Sequence, residues 1–234
     1  MMKRFSLLLL LPFFLSPCLT LAADNELTPE EQKEGWLLLF NGKDYTGWIN
    51  NNGKPVVSQV EDGAMQTYKC GGYILTYDKL FGDFILTCDV KMDKTCNSGI
   101  FLRIEDRKDP VNTGFEIQVG TTGEKLDVHA HGALYDVKAP SKAAGKEPGE
   151  WDHFEIKFAG SELSVKLNGE EVVKANLDDY SEPGKRDIDG NHKFTKDGKP
   201  RALKDFARTG SIGFQDHDHK CWYKNVKLLP LEKK

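Results

Sequence analysis

The feature that most constrains this chain is a two-residue period of apolar side chains recurring through its middle and end. It runs through FILTCDVKM (84–92), SGIFLRI (98–104), GFEIQV (114–119), HFEIKF (153–158), LSVKLNGEEVV (163–173), GSIGFQD (210–216) and CWYKNVKLL (221–229). Successive side chains of a strand point to opposite faces, so each stretch can bury one face and keep the other polar. Strands of this length, separated by Gly and Asn turns, describe an antiparallel all-β fold with two sheets or a closed barrel. Asn168 and Gly169 in VKLNGEEV supply the positive backbone angles of a tight hairpin turn. The helical signal is LTPEEQKEG (27–35), where Thr28 can cap a turn that starts with Pro29 and Glu30.

Residues 1–23 join a basic start (Lys3, Arg4) to an apolar run too short to span a bilayer comfortably, ending in Ala22 and Ala23. That pattern is expected of a secretory signal peptide. Residues 24–234 are then expected to form one exported domain (periplasmic, cell-surface or secreted) with no transmembrane segment after processing. Removing Lys3 and Arg4 from the 32 basic residues leaves 30 against 36 acidic ones, a net charge of −6. An acidic surface argues against a nucleic-acid partner, because phosphate binding needs a basic one. Four cysteines remain, and an oxidising compartment permits a disulfide. Cys70 and Cys96 each precede a glycine turn and are the expected pair, whereas Cys88, in phase with Phe84, Leu86 and Val90, reads as a buried apolar residue. Residues 136–150 and 176–208 are polar and rich in Gly, Pro and Lys, so they are expected to be loops, the longer one able to close over a substrate.

With the strands placed, the polar faces can be collected. Ile100, Leu102 and Ile104 share one face by alternation, which assigns Phe101 and Arg103 to the other. GFEIQV adds Glu116 and Gln118, about 6.6 Å apart along the strand. HAHGALY (129–135) contributes His129, His131 and Tyr135, and GFQDHDH (213–219) contributes Asp216, His217 and His219. These residue types, with Phe101 and four tryptophans nearby, suit a sugar, whose C–H surface stacks on aromatic faces and whose hydroxyls take paired hydrogen bonds. An ordinary solvated sheet face is the plain alternative. His129 and His131 begin a metal set without an identifiable third ligand. DIDGNHKFTKDG (187–198) carries Gly190 at the fourth position, not the sixth of the calcium-loop template. No metal and no cofactor are expected.

FNGKDYTGW (40–48), NSGIFLR (97–103), GFEIQV, HGALYDVKAP (131–140), GEWDHFEI (149–156), VKLNGEEV (165–172) and GSIGFQDHDHKCWYKNVKL (210–228), in this order, resemble the 3-keto-disaccharide hydrolase domain family. The resemblance covers nearly all of the chain beyond residue 23. It implies a concanavalin A-like jelly roll of two curved antiparallel sheets with a ligand groove on the concave side. It also implies a carbohydrate substrate, a sugar or glycoside oxidised at carbon 3. The family usually follows its Glu-x-Gln strand with aspartate, where this chain has QVGTTG; the usual QDHG is QDHD here, with Asp218 replacing glycine.

A ketone at carbon 3 acidifies the hydrogen at carbon 2, so a base can remove it and the enolate can expel the oxygen on carbon 1. Water then adds, giving net hydrolysis. On this scheme Glu116 is the expected base, His217 the acid with Tyr135 in reserve, and Arg103 or Gln118 the holder of the enolate oxygen. Asn97, His131 and Asp216 are expected as further substrate contacts. A two-carboxylate glycosidase fits less well, because only one strand-interior carboxylate is placed on this face. The rival from another class is a non-catalytic carbohydrate-binding module, since fold does not fix function.

Overall fold

A computed structural model describes residues 23–120, 125–183, 195–196 and 199–231. The expected signal peptide, apart from Ala23, and most of the 187–198 run lie outside the described residues. In chain order the strands are β1 (Leu37–Leu38), β2 (Trp48–Asn50), β3 (Val60–Glu61), β4 (Ala64–Gln66), β5 (Ile74–Tyr77), β6 (Phe84–Met92), β7 (Asn97–Ile104), β8 (Phe115–Gly120), β9 (Trp151–Ala159), β10 (Glu162–Leu167), β11 (Glu170–Asn176), β12 (Thr195–Lys196), β13 (Lys199–Pro200), β14 (Ser211–Gln215) and β15 (Cys221–Pro230). Two antiparallel sheets form the molecule's two layers. The larger runs β11-β10-β9-β6-β15-β4-β3 with β1 added beside β15, and the smaller runs β2-β5-β14-β7-β8. This is the two-sheet jelly-roll sandwich of the all-β expectation.

Alternation builds the core. Phe84, Leu86, Cys88, Val90 and Met92 of β6 and Phe154, Ile156 and Phe158 of β9 turn inward from the larger sheet. From the smaller sheet they meet Leu75, Ile100, Leu102, Phe115, Ile117, Val119, Ile212 and Phe214. A polar link crosses this layer: the Ser98 hydroxyl, which donates to the Gln215 carbonyl of its own sheet at 2.7 Å, lies 2.8 Å from the Tyr223 hydroxyl of the larger one. The β10–β11 hairpin turns at Asn168 (φ 52°) and Gly169 (φ 84°), as their residue types require. The short helix α1 (Pro29–Glu34) begins in a capping box, with Glu31 N donating to the Thr28 hydroxyl and Thr28 N donating to the Glu31 carboxylate.

Arg103 is not on the outer face. Opposite it, Phe101 pairs with Gly213 while Ile104 pairs with Ser211, so β7 carries one residue more than β14 over this step. This is a β-bulge, and Arg103 occupies it with φ 48°. The extra residue inverts the phase: Arg103 turns inward, and Ile104 joins Phe101, Ile74 and Val111 in a small cluster on the outer face. The guanidinium is fully buried, 2.8 Å from Asp83, and donates to the carbonyls of Gly82 and Gly160 while stacking 3.6 Å above the Phe158 ring. Burial pushes its pKa down to about 10, against the opposing pull of Asp83, so it stays charged at neutral pH.

The expected Cys70–Cys96 disulfide is not formed. All four described cysteines are free thiols. Cys70 hydrogen-bonds the Asn50 side chain and the Gly72 carbonyl, whereas the Cys96 thiol meets Cys221 on the facing sheet. A glycine turn beside each cysteine carries no information about which strands lie opposite. Cys88 is buried in the core, as its phase indicated.

Because Arg103 is buried and partnered, Arg103→Met should cost about 3–5 kcal/mol by leaving Asp83 without its partner. Urea unfolding measures this, and a midpoint within error of the parent would contradict the buried role.

Candidate active site

The outer face of the smaller sheet forms the floor of a groove. It carries Asn97 and Gly99 from β7, Glu116 and Gln118 from β8, and Gly213 and Gln215 from β14, each the alternation partner of a core residue. Gly99 pairs with Gln118 across the ladder. A Cβ there would lie 2.2 Å from Glu116 Oε1, so only glycine lets the carboxylate lie across β7. Residues 127–138 form one wall by hydrogen-bonding the edge of β8, where Gln118 N donates to Ala133 O at 3.0 Å and Tyr135 N to Glu116 O at 2.9 Å. Tyr73, at the start of β5, and His217, just after β14, form the other wall. Val111 of the one-turn helix α2 (Pro110–Thr113) closes one end.

Two adjoining depressions result. The smaller, about 180 Å³, is lined by Tyr73, Glu116, Gln215 and His217. The larger, about 500 Å³, is lined by Thr95, Lys125, Asp127 and His129. Asn97, Gln118 and Tyr135 border both, so the two are one continuous trough. Its size lies in the range of small-ligand sites.

The polar groups of the trough are prearranged. Gln118 Nε2 donates to Asn97 Oδ1 at 3.1 Å, and Gln215 Nε2 donates to the Tyr73 hydroxyl oxygen at 2.6 Å. The amide oxygens of Gln118 and Gln215 are buried with no partner among the described residues. Such an acceptor costs roughly 1–3 kcal/mol while unpaired, a cost that a ligand hydroxyl would remove. Desolvation first, and the charge of Glu116 second, push the Tyr73 phenol up to about 12. Tyr73 therefore keeps its proton at neutral pH, and with its oxygen already accepting from Gln215 that proton is available for donation.

Of the residues picked out by sequence, Asn97, Glu116, Gln118, Tyr135 and His217 are brought together at the trough. Arg103 is excluded by the bulge in β7. His131 is buried away from it: Gly120 N donates to Nδ1 at 3.3 Å, and Nε2 lies 3.1 Å from Asp152. His131 lies in an irregular stretch, where strand alternation does not govern side-chain direction. Asp216 is buried and structural, accepting from the backbone N of Cys70 and of Asp218 at 3.0 and 3.1 Å. That clamp sets the loop bearing His217. Asp218, where the family usually has glycine, takes φ 60°, so the left-handed turn is kept.

Tyr73, Gln215 and His129 complete the lining. Gln215 was legible, being two residues from Gly213 and one from the core residue Phe214. Tyr73 precedes its strand and carries no periodic signal. His129 lies 2.6 Å from buried Asp136 through Nε2, and its ring centroid is 4.7 Å from that of Tyr135.

A family model described as the 3-keto-alpha-glucoside-1,2-lyase-like domain matches residues 35–229. A 3-keto-disaccharide hydrolase from Bacteroides thetaiotaomicron is 24% identical over 233 residues, covering 85% of this chain and 79% of that protein. Two solved structures from Parabacteroides distasonis, provisionally described as glycosyl hydrolases, are similar. One is 29% identical with a TM-score of 0.72, covering 90% of this chain and 100% of its own. The other is 27% identical with a TM-score of 0.69, covering 84% of this chain and 99% of its own.

The Tyr73–Glu116 proximity has a direct test. Replacing Glu116 with Gln removes a negative charge that disfavours the phenolate, so the Tyr73 phenol should titrate below about 12, closer to 10.0. Ultraviolet difference titration against Tyr73→Phe reads the shift; an unmoved titration would place the two groups apart.

Proposed function

The chain belongs to the 3-keto-alpha-glucoside-1,2-lyase-like family, and from that premise we propose that it cleaves 3-keto-glycosides or 3-keto-disaccharides by removing the proton on carbon 2. The observation that carries the reading is the composition of the smaller depression: one lining carboxylate, Glu116, surrounded by the phenol of Tyr73, the amides of Asn97, Gln118 and Gln215, and the imidazole of His217. An oxocarbenium route uses two carboxylates flanking the bond. An enolate route needs one base and several donors for an oxygen that becomes negative.

Glu116 takes the proton from carbon 2, and the electron pair of that bond moves toward the carbon 3 oxygen. Tyr73 donates to this oxygen, the role sequence reasoning had offered to Arg103 or Gln118. Its hydroxyl is fixed by Gln215 before substrate arrives, so stabilising the enolate requires little reorganisation. Collapse of the enolate breaks the bond between carbon 1 and its oxygen, which leaves with the pair and receives a proton from His217. Gln118 and Gln215 accept from hydroxyl groups through amide oxygens that have no partner among the described residues, and Tyr135 offers an aromatic flank. Water adding to carbon 1 and a proton returning to carbon 2 complete net hydrolysis.

Glu116→Gln should lower turnover of a 3-keto-glucoside at least ~100-fold, and Tyr73→Phe at least ~10-fold, with unfolding midpoints unchanged. Mass spectrometry of the products measures this. Turnover by Glu116→Gln at the parental rate would remove the assigned base, and retention of the sugar without cleavage by the parent protein would make the trough a binding site.

A further inference from the structure

Net hydrolysis by elimination needs a proton acceptor on the side from which water reaches carbon 1, while Glu116 returns its proton to carbon 2; His217, emptied by the leaving group, stands beside Tyr73 in the smaller depression and refills from solvent. The smaller depression has no unassigned group for this task. The larger one does.

We propose that His129, held by Asp136, activates the water that completes the reaction; this rests on the enolate reading above. Three observations support it. First, the Asp136 side chain is fully buried, while that of His129 is 30% exposed and lines the larger depression. Second, the ring is tethered through one nitrogen and its backbone is anchored. Nε2 lies 2.6 Å from Asp136 Oδ1, and the backbone N donates to Asp127 Oδ1 at 2.9 Å. Asp136 reaches back across the turn with φ 60°. A carboxylate on Nε2 places the imidazole proton there and leaves Nδ1 to accept one. Third, His129 packs against Tyr135, which borders both depressions, so the dyad stands where the trough passes from the closed end to the roomy one. That roomy end gives water a path toward carbon 1 once the leaving group has gone.

In the step, a water O–H bond breaks and its proton goes to His129 Nδ1, which releases it to solvent while the exposed His217 takes one up, so every group regains its starting state. The oxygen bonds carbon 1, the electrons of the enone double bond move to the carbon 3 oxygen, and protonated Glu116 returns its proton to carbon 2 as that enolate collapses. No oxidant or reductant is consumed. His129 is the catalytic residue, and Asp136 is a positioning residue acting through it. His217, exposed and beside Tyr73 at the other end, has no such carboxylate partner among the described contacts.

The test is a product ratio. Incubate the full chain with a 3-keto-glucoside and quantify the enone (a 2-hydroxy-3-keto-glycal) and the hydrated 3-keto sugar by mass spectrometry. The parent should give mainly hydrated sugar; His129→Gln should raise the enone-to-hydrated ratio at least ~100-fold, and Asp136→Asn at least ~10-fold. A purely structural dyad would depress both products together and leave the ratio unmoved, which would overturn the proposal. The purified enone, supplied directly, tests hydration without the elimination step. Parental hydration of it by both variants overturns the proposal, as does a parent that releases only enone. Failure of the Glu116 assignment shows separately, as parental cleavage by Glu116→Gln.

Discussion

The smaller sheet can offer a polar trough only because its inner face is fully committed to the core. Ile100, Ile117, Val119 and Phe214 are buried against the larger sheet, and the pleat then leaves Gly99, Glu116, Gln118, Gly213 and Gln215 no choice but the outer face. A one-residue slip in any of these strands would bury the carboxylate and expose the core. The same commitment makes the glycines matter. A side chain at 99 would take the space in which Glu116 lies, and one at 213 would run into Ile74 and Ile104.

On that floor the electrostatics are asymmetric. One end gathers a carboxylate, a desolvated phenol with its proton retained, and amides whose oxygens lack partners among the described residues. The other end opens wider and holds an imidazole tied to a buried carboxylate. The first end suits removal of a proton next to a ketone. The second suits handling of the water that enters at the neighbouring carbon. A division of labour along one trough needs no second acidic residue at the bond being broken, which separates this arrangement from the paired carboxylates of ordinary glycoside hydrolysis.

Much of this was legible in the residues. Period-two alternation located β6 at its observed bounds and β7, β9, β14 and β15 within two residues, and it put Glu116 and Gln118 on the correct face. It failed where the backbone leaves regular alternation. The extra residue in β7 reversed Arg103 and Ile104, and nothing in SGIFLRI marks it; at that point Gly210 comes so close that its Cβ would lie 2.3 Å from the Arg103 carbonyl carbon. His131 and Asp216 sit in irregular segments where direction follows local hydrogen bonds. Tyr73 and the His129–Asp136 pair depend on chain segments far apart, or folded back, in ways that spacing does not encode. The cysteines missed for the same reason: Cys96 meets Cys221 across the sandwich.

On the proposed route, cleavage begins with a proton leaving carbon 2. A competition between a 3-keto-glucoside deuterated at carbon 2 and its protiated form measures this directly on kcat/KM. A normal primary isotope effect on release of the carbon 1 substituent is the predicted result, and a ratio of unity, with a pronounced effect from deuterium at carbon 1 instead, would contradict it.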